Sequence, residues 1–93
     1  MRVIEFSGQY RRDLKREFRG IHGRTLEADL SSTLLALATD KPLDPKYRDH
    51  ALTGDKKGVR DCHIKPDLVL LYRKPDTETL QLVRLGSHSE LGL

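Results

Sequence analysis

In the segment Asp61-Cys62-His63-Ile64-Lys65-Pro66-Asp67 an imidazole lies between two carboxylates, a grouping suited to proton transfer at neutral pH. Strand alternation puts Arg60, Cys62 and Ile64 on one side and Val59, Asp61 and His63 on the other. Cys62 and Ile64 suit a core, so Asp61 and His63 are expected together on an open face. The turn at Lys65-Pro66 is expected to bring Asp67 back beside His63. A carboxylate there would orient the imidazole and favour its charged form. The plainer reading makes His63 an exposed strand histidine and Asp67 a turn former after proline.

Two further histidines shift that balance. His50 ends Tyr47-Arg48-Asp49-His50, and His88 follows the last apolar run in Arg84-Leu85-Gly86-Ser87-His88. His22, between two helical stretches, reads as solvated. Several imidazoles beside arginines suit RNA cleavage by its own 2′-hydroxyl. That reaction needs a base for the 2′-OH, an acid for the leaving 5′-oxygen and cations for the charge on phosphorus. Arg84 is the better cation, because Arg60 is expected to point toward the core. Zinc held by His50, His63, His88 and Asp67 is the competing reading, without any compact ligand spacing to support it. Cys62 on the core side would be an inert thiol. No phosphate-binding glycine loop or nucleophile elbow is present.

The elements that must position these groups are legible. Arg2–Phe6 reads as a strand and Ser7 as a helix N-cap. Phe6, Tyr10, Leu14 and Phe18 line one helix face, and Gly20 and Gly23 break the helix. A second helix is predicted over Thr25–Thr39, with Leu26, Leu30, Leu34 and Leu37 as its stripe and Leu35, Ala36 and Ala38 widening it. Lys41–Lys57 reads as a long polar connection. Val59–Ile64, Leu68–Lys74 and Leu80–Leu85 read as an antiparallel meander that the first strand joins. The expected fold is α+β, β-α-α-β-β-β, an antiparallel sheet with a helical hairpin on one face.

Ninety-three residues predict one domain over 1–93, burying roughly 60–65% of its chain surface. The single cysteine, the lack of a leader-like opening and the lack of a long apolar run predict a cytoplasmic protein without membrane association. Lys and Arg number 17 against 14 acids, a net charge of +3. The arrangement says more than the total. Arg11, Arg12, Lys15, Arg16 and Arg19 form one cluster, and Lys56, Lys57, Arg60 and Lys65 another. Such clusters suit a polyanion, and equally a solvated helix face or an acidic protein.

Taken together, Tyr47-Arg48-Asp49-His50, Leu52-Thr53-Gly54, the run Gly58 to Asp67, Leu71-Tyr72, Arg84 to Leu91 and the opening Phe6-Ser7-Gly8-Gln9-Tyr10 resemble the YafQ toxins of the RelE/ParE superfamily. The resemblance spans nearly the whole chain. It implies a type II toxin that cleaves mRNA in the ribosomal A site without a metal or other cofactor. It also implies a cognate antitoxin, with operator DNA reached only through the antitoxin complex. The family's catalytic set matches His50, Asp61, His63, Asp67 and His88. RNA contacts are expected from Arg60, Arg84, Lys56, Lys57, Tyr47 and Leu91; for Tyr47, loop packing is the plainer reading. Gly92 departs from the family, which has an aromatic there, and the family's aromatics are also missing at Lys56, Val59 and Leu68. A non-enzymatic gyrase inhibitor and a catalytically weakened toxin acting mainly with its antitoxin are the alternatives.

Overall fold

In the computed structural model, which describes all 93 residues, two helices cover one face of a five-stranded sheet. The elements run β1 (Val3–Phe6), α1 (Gly8–Phe18), α2 (Gly23–Ala38), β2 (His50–Ala51), β3 (Arg60–Lys65), β4 (Leu68–Arg73), β5 (Thr79–Gly86) and α3 (His88–Leu91). The spatial order is β1-β5-β4-β3-β2. The meander β3-β4-β5 is antiparallel as expected, and β1 joins it alongside β5. That last pairing is parallel, so the sheet is mixed. The reason is the helical pair: it returns the chain to the far side of the sheet before β2 begins.

Ser7 caps α1, its hydroxyl accepting the Tyr10 amide at 2.9 Å. The turn into α2 is tight. A Cβ on Gly23 would meet the Phe18 carbonyl oxygen at 2.2 Å, so only glycine fits. Leu26, Leu30, Leu37 and Ala38 of α2 and Tyr10 of α1 pack on Cys62, Leu70, Tyr72 and Leu82 in the main core. Leu35 and Phe18 were expected on apolar faces, but both are largely exposed. An apolar stripe in sequence is wider than the groove the sheet offers it. Bulges adjust the parity of the strands. Tyr72 faces Leu82 while Leu71 faces Arg84, and the extra residue lets Leu80, Leu82 and Leu85 all reach the main core.

The sheet's other face is not open. Val69 and Leu71 are covered by Leu91 of α3, with Leu52, Val59 and Val83 around them. Lys41–Lys57 is also more ordered than a plain connection. It contains 3-10 turns at Pro45–Tyr47 and Gly54–Lys56 and the edge strand β2. No helix is long and apolar enough to cross a membrane.

Candidate active site

The centre of the site is Asp61, only 2% exposed. Three elements bring imidazoles to it. β3 carries His63 two residues further along the same face, with Nε2 3.5 Å from Asp61 Oδ1. β2 pairs His50 directly across from Asp61, with Nε2 3.9 Å from Oδ2. α3 presents His88, whose ring centroid is 4.9 Å from that of His63. Asp61 Oδ1 is buried and has no hydrogen-bond partner. A carboxylate so placed needs a proton or a cation within reach, and these imidazoles are the groups that surround it.

Each imidazole is held differently. His50 is half exposed, and its Nδ1 is 2.6 Å from the Arg48 carbonyl. A carbonyl can only accept, so Nδ1 carries hydrogen and Nε2 is the nitrogen turned to Asp61. Asp49, next in the chain, is anchored by the Tyr72 hydroxyl at 2.5 Å and by Arg60 at 3.3 Å through both Nε and Nη2. Burial and then the bond to Asp49 push the Tyr72 hydroxyl well above its ordinary pKa, so it remains a donor. Arg60 thus lies on the core side of β3, as expected, and acts on the loop that carries His50. Asp49→Asn is expected to cost about 1 kcal/mol of stability. It should also loosen His50, read by NMR as lost exchange protection of its Nδ1 proton; an unchanged signal would dismiss this anchor.

His88 depends on α3. Ser87 and Glu90 form a capping box, the Ser87 hydroxyl accepting the Glu90 amide and Glu90 accepting the Ser87 amide. Glu90 also pairs with Arg16 at 3.2 Å, and Arg16 donates to the Leu85 carbonyl at 2.7 Å. Gly92 ends the helix at φ 70° and ψ 34°, a left-handed cap that favours glycine. Leu91, expected to touch RNA, is instead buried against Val69 and Leu71, where it holds α3 on the sheet.

Two other expected site residues also lie elsewhere. Asp67 accepts from or pairs with His22 Nε2 at 2.8 Å, because the β3–β4 turn leans toward the helical layer. His22 is therefore partnered rather than simply solvated, and Asp67 is not part of the Asp61–His63–His88 cluster. Arg84 is engaged by the buried Asp13, Nε to Oδ2 at 2.7 Å. Cys62 is fully buried, and burial pushes its thiol up to about 12, so it is inert. Lys56 is half-buried and Lys57 exposed in the turn before β3. Tyr47 lines a cleft of about 500 Å³ that reaches His63. Lys46 and Arg48 share that cleft and did not stand out in the sequence reading, although Arg48 sits inside the motif ending at His50.

The result is a small α+β domain in which imidazoles and a buried carboxylate are gathered from separate elements, a grouping whose chemistry suits proton transfer. Residues 2–92 match the family of YafQ toxins, bacterial toxins of type II toxin–antitoxin systems, and the chain belongs to that family. The mRNA interferase toxin YafQ of Escherichia coli K12 is 40% identical over 90 residues, covering 97% of this chain and 95% of that protein. A metal-bound toxin from Helicobacter pylori is 46% identical with a TM-score of 0.84, covering 98% of this chain and 99% of the other. YafQ in the E. coli DinJ–YafQ complex is 32% identical with a TM-score of 0.79, covering 98% of each chain.

Proposed function

We propose that this toxin is a ribosome-dependent mRNA interferase of the cytoplasm, cleaving the strand by attack of its 2′-hydroxyl on the adjacent phosphorus. The supporting observation is the convergence of His50, His63 and His88, from three elements, on the buried Asp61. One imidazole takes the 2′-OH proton and another gives a proton to the leaving 5′-oxygen. The products are a 2′,3′-cyclic phosphate and a free 5′-hydroxyl. Asp61 orients the ring of His63 and balances imidazolium charge. The acid and base roles are assigned to the cluster as a whole. A cognate antitoxin restrains the toxin and supplies any contact with operator DNA.

The same cluster fits a transition-metal ion. One ligand atom each from Asp61, His63 and His88 lies within 4.8 Å of the others, and Asp61 Oδ1 lacks a hydrogen-bond partner. A metal there would occupy the nitrogens that move protons, and so would act as an inhibitor. In a programmed-ribosome assay, cleavage should persist in excess chelator and leave cyclic-phosphate ends. Added Zn²⁺ or Cu²⁺ should suppress it. Activity lost in chelator and restored by metal would reverse this mechanism. Intact mRNA at high toxin concentration would refute the interferase reading altogether.

A further inference from the structure

The cleft beside His63 has chemistry that the acid–base cluster does not use. It lies between the Pro45–Tyr47 turn, α2 and the β3–β4 turn, and its walls include Lys46, Tyr47, Arg48 and Lys65. Lys65 is neutralised by Asp29 at 2.9 Å. Lys46 and Arg48 pair with no carboxylate, and Lys46 Nζ stands 5.4 Å from the centre of the Tyr47 ring. Arg48 adopts a left-handed backbone, φ 49° and ψ 40°, which costs a non-glycine residue free energy. Strain of this kind persists where surrounding contacts enforce it, and it gathers at functional sites. Here the Asp49 anchor on one side and the Arg48 carbonyl bond to His50 on the other enforce it. The same backbone twist holds the Arg48 carbonyl against the His50 imidazole, while Arg48 itself is one of the residues that line the cleft.

We infer that this cleft is a nucleotide subsite, in which Arg48 and Lys46 bind the phosphate next to the scissile one and Tyr47 takes the neighbouring base. The inference rests on the interferase reading for its choice of RNA as the ligand. A volume of about 500 Å³ falls within the ordinary range of small-ligand pockets, roughly 300–1,000 Å³. A planar guanidinium reads phosphate in a way one ammonium cannot, and an aromatic face accepts any base. The subsite opens onto His63, so its occupant fixes the register of the strand against the cluster.

The test is binding of a short single-stranded RNA made uncleavable by 2′-O-methylation, followed by fluorescence anisotropy across a salt series. The variants are Arg48→Asn, Lys46→Gln and, as a control away from the cleft, Lys41→Gln. Asparagine tolerates the left-handed backbone, so Arg48→Asn removes the cation while keeping the turn. A second variant, Arg48→Gly, checks this. Each cleft variant should reduce the slope of log affinity against log salt by about 0.7, the share of one phosphate contact. Over a fourfold rise in salt its affinity then falls roughly threefold less than that of the wild type. Lys41→Gln should leave the slope unchanged. An unchanged slope in both Arg48 variants and in Lys46→Gln would overturn the subsite, and so would an equal loss in Lys41→Gln. If slopes stay unchanged while mRNA is still cleaved, the subsite fails and the interferase reading stands. If slopes change but ribosome-programmed mRNA stays intact, the interferase reading fails, and with it the placement beside a scissile phosphate, while the cleft's binding of RNA phosphate stands. Competition by an acidic peptide but not by RNA would assign the cleft to a protein partner and overturn the inference.

Discussion

His63→Ala and His88→Ala are each expected to lower cleavage of ribosome-bound mRNA by about 10²–10⁴-fold, the usual contribution of a positioned acid or base. The two rings stand 4.9 Å apart around one buried carboxylate, so they act as a unit. The double variant should therefore fall little further than the worse single one. Stability separates a chemical role from a structural one. His88 is exposed, so its loss should change unfolding free energy by no more than about 0.5 kcal/mol. The His63 side chain is 10% exposed and faces Asp61, so His63→Gln, which keeps volume and a hydrogen-bonding group, is the cleaner substitution. Single-turnover cleavage at the wild-type rate by a folded His63→Gln or His88→Ala protein would remove these residues from the mechanism.

The largest structural effect is expected at Asp13. Its carboxylate is nearly buried between α1 and β5, where it accepts from Arg84 Nε at 2.7 Å, Arg16 Nη1 at 3.1 Å and the Leu85 amide at 3.0 Å. Asp13→Ala leaves that buried amide unpaired and two arginines without their common partner. The expected cost is about 2–4 kcal/mol, a fall in Tm of roughly 10–25 °C for a domain of this size. Activity should fall too, because Arg16 links Asp13 to Glu90 and so to the helix that carries His88.

The pH dependence follows from the sign of the shift. Burial raises the Asp13 carboxyl, but the Arg84 bond, the Leu85 amide and the charges of Arg84 and Arg16 outweigh it and hold it below its ordinary value. A depressed carboxyl stabilises the fold above the unfolded value, near pH 4, and that stability drains away as pH falls through the folded value. Denaturant unfolding should show wild-type stability falling with acid in this window more steeply than that of Asp13→Ala. Parallel curves, or a variant melting within a few degrees of wild type, would show that the cluster carries little of the stability.

Asp13 also marks a limit of sequence reading. It lies in a helix crowded with basic residues and reads there as one acid among many. Burial and three donors, two of them from a strand some seventy residues away, make it the anchor of α1 on the sheet. Glu90 and Arg16 are similar: the Ser87-to-Glu90 spacing is that of a capping box, a signal left unread with the third helix it starts, and its tie to α1 has no local signature at all.

What the sequence alone determined is whatever obeys local periodicity and short-range chemistry. The helices and the meander follow from spacing of 3.6 and 2 residues, and the Ser7 cap from its hydroxyl. The shared face of Asp61 and His63 follows from alternation, and the burial of Cys62 follows from the same rule. What only the tertiary structure decided is every meeting of distant segments. It paired β1 parallel to β5 and added β2 to bring His50 opposite Asp61. It closed the expected open face with α3, and it gave Asp67 to His22 and Arg84 to Asp13. The physical reason is range. Alternation fixes which side of a strand a residue faces. What lies on that side depends on chain segments brought back by turns, bulges and buried charges, whose free energies are set by the whole packed molecule.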